Sequence, residues 1–264
     1  MIGGRLSVVS ADVFEADLPL GEARLVYADP PYTDEDYLGY GGAPGWERLI
    51  ARMLELGAAD SSFVLHCGSP GLPAVLPLVE RLAPKRTQNF PGQPKARILA
   101  WVKPWGPKRP NVGFQYWWEP VVVFYGSSYR APGQSLRQTD PDWIMTPPLR
   151  GQNRTPTQKP GLLLFWLFNR LLAGARDRVA IDLFSGSGQA ALMAAHFGLH
   201  AIAVERDEAL CELIRQRAGE ALDVAALELL TMPPQSAGAG FEGWPLEAGA
   251  LGLGKHWLPA RGER

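Results

Sequence analysis

Short apolar runs that recur along the chain, with helical segments between them, are the feature that most limits its possible folds. The runs are continuous rather than alternating, which is typical of strands buried on both faces. Seven strands are predicted in this way, over residues 6–10, 25–28, 63–66, 98–102, 121–125, 179–183 and 201–205. Helical periodicity marks residues 46–56, 161–173, 188–197 and 207–222. This alternation predicts an α/β fold, a seven-stranded and mostly parallel sheet with helices on both faces.

Two stretches do not follow the alternation. Residues 126–157 are rich in Pro, Gly, Gln and Arg, which predicts a long loop or a small inserted module. Residues 232–264 are rich in Gly, Pro and Ala, which favours a loosely structured tail. We therefore expect one α/β domain over residues 1–230 and a C-terminal tail of unknown role over 231–264.

Composition narrows the class of protein. Of the 264 residues, 46% are hydrophobic and 20% are charged, as in a globular enzyme. Two cysteines cannot form a disulfide framework, which indicates a reducing compartment. The longest apolar segment, 162–168, is too short to span a bilayer, and the first residues do not resemble a signal peptide. A cytoplasmic location is expected.

Charge is distributed unevenly, although the net charge is only −1. The segment 84–118 has no acidic residue before Glu119 but contains Lys85, Arg86, Lys95, Arg97, Lys103, Lys108 and Arg109. Charge alone leaves two interpretations open, a solvated basic loop region and a face that contacts phosphates.

A glycine-rich turn follows the sixth predicted strand and precedes a helix. Its residues are Asp182, Leu183, Phe184, Ser185, Gly186, Ser187 and Gly188. Glycines allow a tight turn and close approach of the backbone to a ligand. Glu205 ends the next strand, where a carboxylate can accept hydrogen bonds from both hydroxyls of a ribose. The pattern predicts a site for an adenosine-containing cofactor.

A dinucleotide is the main alternative ligand for this turn. Gly186, Gly188 and Ala191 also match the spacing of a dinucleotide-binding fingerprint, although that match alone is weak. Asp182 would repel a pyrophosphate but suits an ammonium group, and Phe184 offers an apolar wall. These two residues favour a cofactor that carries methionine.

A second motif follows the second predicted strand and reads Asp29, Pro30, Pro31, Tyr32. An amino group on adenine or cytosine is a poor nucleophile, because its lone pair is delocalised into the ring. Two hydrogen-bond acceptors, the Asp29 carboxylate and the Pro30 carbonyl, would localise that lone pair. The prolines stiffen the turn and remove backbone donors, and Tyr32 offers a face for base stacking. The motif predicts electrostatic catalysis at a base amino group.

Together these motifs resemble the amino-methyltransferases of DNA. The catalytic motif precedes the glycine-rich turn, which is the permuted order of the beta group of that family. The resemblance covers residues 5–222 and implies the Rossmann-like fold of S-adenosylmethionine-dependent methyltransferases. In this permutation the chain begins at the sheet's third strand and ends with the helix after its second, which brings Leu222 near Leu6.

Further segments match the same group. Ser10, Ala11 and Asp12 resemble its adenine-contacting segment, which places Asp12 at the cofactor. Residues 101–103 and 118–120 resemble its W-x-K segment and the start of the strand that follows. Residues 155–160 resemble its H-P-T-Q-K-P segment, although Thr155 replaces the histidine and receives no role. The implied S-adenosylmethionine contacts come from Asp12, Asp29, Lys159, Asp182, Phe184, Ser185, Gly186, Ser187, Gly188 and Glu205, with Lys159 near the cofactor carboxylate; no metal is implied.

The resemblance implies DNA as the substrate, with the target base flipped out of the duplex. In this family an aspartate at the first position of the motif goes mostly with adenine N6, so Asp29 favours adenine over cytosine N4. The recognition segment is expected at 126–155, and residues 33–45 are a candidate loop that closes over the base. The expected DNA contacts come from Lys103, Lys108, Arg109, Arg130, Arg137, Arg150 and Arg154.

Other functions remain open at this stage. A methyltransferase of RNA or of a protein glutamine also uses a P-P-Y turn, but usually carries its glycine motif first. A dinucleotide-dependent oxidoreductase has no use for Asp29 to Tyr32, and the intact motifs disfavour a non-catalytic DNA-binding remnant. A recognition segment this short implies that the DNA sequence it recognises is short or degenerate, or that two subunits of a homodimer recognise the sequence together. A cognate restriction endonuclease is a further partner that the family allows.

Overall fold

A computed structural model describes residues 4–31, 43–85, 94–104, 117–130, 141–148, 158–172 and 175–230. The strands are β1 (Arg5–Ser10), β2 (Ala23–Ala28), β3 (Gly57–His66), β4 (Arg97–Val102), β5 (Trp118–Tyr125), β6 (Trp143–Met145), β7 (Val179–Asp182) and β8 (His200–Glu205). The helices are α1 (Ala43–Leu56), α2 (Gly68–Leu82), α3 (Gly161–Leu171), α4 (Gln189–His196) and α5 (Glu208–Leu230). These elements belong to one compact unit that ends at Leu230.

One sheet contains all the described strands, in the order β1-β8-β7-β2-β3-β5-β4-β6. The first five strands in this sheet order, β1, β8, β7, β2 and β3, run parallel to one another. Strand β5 is antiparallel to both β3 and β4, and β6 is parallel to β4. The chain therefore begins on an edge strand, and its last described strand, β8, lies between β1 and β7. This is the strand order expected from the permuted arrangement.

The central strand β2 is buried on both faces, as its continuous apolar run predicted, whereas the edge strand β1 is partly exposed. All six residues of β2 are buried, and they divide between two hydrophobic cores. Leu25 and Tyr27 pack with helices α3 and α4, whereas Val26 and Ala28 pack with α1 and α2. Side chains alternate across a strand, so one strand contributes to both cores.

Two elements differ from the sequence prediction. The prediction of seven strands is one short, because β6 adds a strand of three residues at the sheet edge, inside the segment expected to be a loop or module. Helix α2 was not predicted, because Pro73 and Pro77 in its interior oppose a helical assignment. Burial of Val75 and Val79 against the sheet holds this helix in place.

The helix after β8 is longer than predicted and continues to Leu230. It packs against β1 as well as β8. The side chain of Leu222 lies outside the described residues, so its proximity to Leu6 stays a prediction. Within the described part of the chain, no helix is both long and apolar enough to cross a membrane.

Candidate active site

The carboxyl ends of the parallel strands bring both sequence motifs to one edge of the sheet. Asp29 follows β2, Asp182 ends β7 and Glu205 ends β8. Because β2 and β7 are adjacent, Tyr27 pairs in register with Asp182, two residues before Asp29. Ligands bind at this edge in open α/β sheets. The two motifs, more than 150 residues apart in sequence, are therefore neighbours in the fold.

Asp29 lies in a partly buried ion pair. Its Oδ2 atom is 2.8 Å from Nζ of Lys159, and the Asp29 side chain is 17% exposed. Lys159 comes two residues before helix α3 and its side chain is 8% exposed. Pro30 is buried and Pro31 half-buried, whereas Tyr32 lies outside the described residues. The first three residues of the motif are therefore placed at the sheet edge, with the carboxylate held by a cation.

Glu119 extends this ion pair to a second lysine. Its Oε2 atom is 3.7 Å from Nζ of Lys159. Its Oε1 atom accepts a hydrogen bond from Nζ of Lys103. The Lys103 ammonium also lies over the ring of Trp101, 4.7 Å from its centroid. Lys103, Glu119, Lys159 and Asp29 thus form a chain of alternating charges.

Tyr27 and His66 form a buried polar pair close to this chain of charges. The Tyr27 hydroxyl is 3.0 Å from Nε2 of His66. Burial lowers the pKa of His66 to about 4. Burial also raises the pKa of Tyr27 well above its usual value, and the Asp29, Asp182 and Glu119 carboxylates raise it further. Both side chains are therefore neutral at physiological pH.

Asp182 is buried, and its two carboxylate oxygens differ in their contacts. Its Oδ2 atom accepts a hydrogen bond from the Ala191 amide at 3.2 Å. Its Oδ1 atom has no hydrogen-bond partner among the described residues. Burial raises the pKa of Asp182 to about 7, and the Asp29 and Glu205 carboxylates add to the rise. A carboxylate in this state favours a cationic ligand, since a positive charge would offset the cost of burying the negative one.

The glycine-rich turn adopts left-handed backbone at two positions. Gly186 has φ +51° and Gly188 has φ +78°, and an L side chain is strained at either. A Cβ atom at Gly188 would lie 2.9 Å from the side chain of Ile214, whereas one at Gly186 would meet no atom within 4 Å. Gly188 therefore permits helix α5 to pack closely, and Gly186 borders open space.

Polar contacts surround the turn. The Glu205 carboxylate accepts hydrogen bonds from the amides of Gly186 at 2.8 Å and Asp207 at 3.0 Å. Ser185 donates through its hydroxyl to the Asp182 carbonyl at 2.9 Å. Ser187 donates to Gln158 Oε1 at 3.0 Å, which links the turn to the residue before Lys159. Phe184 is half-buried.

The segment after β1 lies beside Glu205. The Ala11 amide donates to the Glu205 carbonyl at 3.1 Å. Asp12 is half-buried, and its Oδ1 atom accepts a hydrogen bond from the Phe14 amide at 2.9 Å. Three predicted cofactor contacts, Asp12, Asp182 and Glu205, are thus brought to the ends of three neighbouring strands.

These residues fit a cofactor with an adenosine half and a cationic amino acid half. The Oδ1 atom of Asp182, which has no hydrogen-bond partner in the described part of the chain, provides a buried acceptor for an ammonium, and Gly186 leaves room for a ligand against the backbone. Glu205 and Asp12 provide carboxylates on the side toward β8 and β1. Lys159 pairs with Asp29, and its expected contact with the cofactor carboxylate stays a prediction.

The predicted DNA contacts are mostly outside the described residues. These are Lys108, Arg109, Arg137, Arg150 and Arg154, and the candidate closing loop at 33–45 is described only from residue 43. Arg130 is exposed at the end of a described segment. Lys103 is described: its side chain is 14% exposed and pairs with Glu119. Its contact with DNA stays a prediction.

Sequence reasoning did not identify Glu119, Tyr27 or His66 as site residues. Tyr27 and His66 lie near the carboxyl ends of β2 and β3, and Glu119 lies near the amino end of the antiparallel strand β5, on the edge where the motifs meet. A titratable residue at a predicted strand end is a signal that could have indicated them. The placement of Glu119 at this edge could not be inferred, because it depends on the antiparallel pairing of β5 with β3.

Comparison with known proteins supports the fold. No protein-family model and no curated protein matches the chain. Among solved structures, the PvuII DNA methyltransferase, which is cytosine-N4-specific, has a TM-score of 0.64 at 15% identity, with 81% of this chain and 86% of that chain covered. M1.HpyAVI, solved as a complex with S-adenosylmethionine, has a TM-score of 0.59 at 16% identity, with coverage of 81% and 98%.

A third similar structure is TTHA0409 of Thermus thermophilus, a proposed DNA modification methylase. It has a TM-score of 0.58 at 20% identity and covers 83% of this chain and 96% of its own. The same protein complexed with S-adenosylmethionine has a TM-score of 0.56 at 18% identity, with 83% and 95% covered. The chain therefore has the fold of these methyltransferases over most of its length.

Proposed function

We propose that the chain is an S-adenosylmethionine-dependent DNA methyltransferase that modifies the exocyclic N6 amino group of adenine. The observation that carries the proposal is the placement of Asp29 and Asp182 at the carboxyl ends of two adjacent parallel strands. One carboxylate would hold the target amino group, and the other would hold the cofactor. Solved structures with this fold include DNA methyltransferases and complexes with S-adenosylmethionine.

The cofactor half of the site would be formed by this chain's own polar groups. Asp182 would accept from the ammonium of the methionine part, and Glu205 and Asp12 would bind the adenosine part. Phe184 would line the ligand, and Gly186 would allow it to approach the backbone. When bound, S-adenosylmethionine supplies an electrophilic methyl group on a positively charged sulfur. Calorimetry tests this half: binding of NAD without binding of S-adenosylmethionine contradicts the assignment.

Asp29 would prepare the target nitrogen for the reaction. By accepting a hydrogen bond from the amino group, it draws the nitrogen lone pair out of the ring. A methylated amino nitrogen would carry positive charge until it lost a proton, and the Asp29 carboxylate, already in place, would stabilise that charge. Pro30 would add its carbonyl as the second acceptor, and Tyr32 would stack on the flipped base.

The choice of adenine rests on Asp29, through the family resemblance. The fold itself does not select adenine, since one of the similar structures is cytosine-N4-specific. The deciding experiment incubates the chain with unmethylated duplex DNA and labelled S-adenosylmethionine, followed by nucleoside analysis. We expect N6-methyldeoxyadenosine. Formation of N4-methyldeoxycytidine would contradict adenine as the target base. Methyl transfer only to RNA or to protein would contradict DNA as the substrate.

DNA contacts are proposed for Lys103, Lys108, Arg109, Arg130, Arg137, Arg150 and Arg154. Phosphate contacts release counterions, so the affinity for DNA should fall steeply with salt. Reversing the charges of Lys108 and Arg109 should weaken binding to every sequence, because phosphates carry no sequence information. Salt-independent binding would contradict this part. The homodimer, the cognate endonuclease, the cytoplasmic location and the boundary at residue 230 stay predictions.

A further inference from the structure

One ammonium group lies between two carboxylates in the candidate site. Nζ of Lys159 is 2.8 Å from Oδ2 of Asp29 and 3.7 Å from Oε2 of Glu119. All three side chains are largely buried, at 8%, 17% and 21% exposed for Lys159, Asp29 and Glu119. Solvent screens these buried charges only weakly, so the position of the ammonium decides how much of the negative potential of each carboxylate is neutralised.

The two carboxylates differ in how they are satisfied. Oε1 of Glu119 is held by Lys103. Oε2 is buried and has no hydrogen-bond partner among the described residues, although it faces the Lys159 ammonium. A buried carboxylate oxygen without a hydrogen bond is costly, so Oε2 of Glu119 is an acceptor that the ammonium would satisfy by moving toward it.

We propose that Glu119 is a positioning residue that receives the Lys159 ammonium when Asp29 takes up the amino group of the target base. The proposal rests on the proposed function. Oε2 of Glu119 becomes the partner of Lys159 after a shift of about 0.9 Å, the difference between the two distances. Lys159 thereby holds Asp29 in the free protein and releases it in the complex.

The release matters because of where charge develops. An ammonium bonded to Asp29 lowers the negative potential that the carboxylate presents to a nitrogen becoming positive. Transfer of Lys159 to Glu119 restores that potential without moving a charge into or out of the site, since two lysines and two carboxylates remain. Electrostatic stabilisation of this kind acts only as the transition state is approached. Lys103 keeps Glu119 in place for it.

The test compares Glu119→Gln with the wild type. The amide keeps the shape of the side chain but removes the charge that attracts Lys159. We expect kcat on duplex DNA to fall by about tenfold or more, but by less than the loss of a direct contact would cause. The Kd values for S-adenosylmethionine and for duplex DNA should be nearly unchanged. Glu119→Asp, which keeps the carboxylate, should recover part of the loss. It also serves if Glu119→Gln fails to fold.

Asp60→Asn is the matched control. Asp60 is another partly buried carboxylate between two cations, Arg24 and Arg178, but it lies in the amino-terminal half of β3, away from the site edge. This variant should lose stability and keep kcat. If Glu119→Gln loses stability and keeps kcat in the same way, Glu119 is structural and the proposal is wrong.

A crystal structure gives a readout that does not depend on turnover. With unmethylated duplex DNA and S-adenosylhomocysteine bound, Nζ of Lys159 should be nearer to Oε2 of Glu119 than to Oδ2 of Asp29. An unmoved Lys159 with the target base on Asp29 overturns the proposal. The two hypotheses fail differently. If the wild-type protein transfers no methyl group to DNA, both the proposed function and the transfer of Lys159 to Glu119 are refuted. If the wild-type protein and Glu119→Gln are equally active, only the transfer of Lys159 is refuted.

Discussion

Tyr27 Oη lies 3.0 Å from Nε2 of His66, across two adjacent parallel strands, and the candidate catalytic carboxylate of Asp29 is near enough to raise the pKa of Tyr27. Both side chains are buried, and their rings are 5.3 Å apart between centroids. The pair places two neutral polar groups where several carboxylates converge. The hydrogen bond between Tyr27 and His66 is therefore expected to stabilise the part of the site formed by β2 and β3.

Replacing Tyr27 with Phe should destabilise the protein by about 1–3 kcal/mol, because Nε2 of His66 is left buried without a partner. The measurement is the free energy of unfolding from urea denaturation near neutral pH. The double variant with His66→Leu should cost less than the sum of the two single changes, since it removes both partners. Additive costs would show that the two side chains do not interact.

Replacing Asp182 with Asn should stabilise the protein at pH 8 while lowering its affinity for S-adenosylmethionine. At that pH the carboxylate, whose pKa is about 7, is charged and fully buried. The amide removes that charge and keeps an acceptor for the Ala191 amide, so we expect a gain on the order of 1–3 kcal/mol. Unfolding measurements and calorimetry on the same variant check both effects. A less stable variant would contradict the prediction.

The same variant should expose the contribution of His66 to the pH dependence of stability. The folded pKa of Asp182, raised by burial from 3.8 to about 7, gives stability that is lost as pH rises through this window. The folded pKa of His66, lowered by burial from 6.5 to about 4, gives stability that is lost as pH falls through its own window. The two effects oppose each other in the wild type. Asp182→Asn should therefore lose stability more steeply than the wild type between pH 6.5 and pH 4.

Replacing Asp29 with Ala should remove most of the methyl transfer while the affinity for S-adenosylmethionine is largely kept. Loss of one preorganised electrostatic contact commonly costs on the order of 10²–10³ in rate. Single-turnover assays on unmethylated DNA and calorimetry with the cofactor give the two quantities. Turnover close to that of the wild type would show that Asp29 does not act on the target amino group.

Two glycines of the glycine-rich turn, Gly186 and Gly188, have left-handed backbone and should respond differently to replacement by alanine. Gly188→Ala adds a Cβ atom 2.9 Å from Ile214, so it should destabilise the protein by more than backbone strain alone. Gly186→Ala adds one into open space, so it should cost less stability but reduce the affinity for S-adenosylmethionine. Thermal unfolding and calorimetry compare the pair. Unchanged affinity in Gly186→Ala would remove that glycine from the cofactor site.

Much of the architecture could be predicted from local patterns. The strand runs, the glycine-rich turn after β7 and the Asp29 motif after β2 are local features, because burial and backbone demands act on neighbouring residues. Parallel strands end at one edge, so strand-end motifs could be expected to meet there. Helix α2 and strand β6 escaped prediction, because packing overrode the prolines in one and three residues are too few to show a period in the other.

Local patterns were enough to establish the fold class, the permuted order of the motifs and the residue types that the chemistry needs. The pairing of charges became known only from the folded chain. Lys159 lies against Asp29 rather than apart from it, and Glu119 reaches both Lys159 and Lys103. These contacts join residues 40 and more positions apart in sequence, apart from the Lys103–Glu119 pair across one hairpin. The physical reason is that an ion pair depends on the distance between side chains, which strand order and register set and which no local pattern contains.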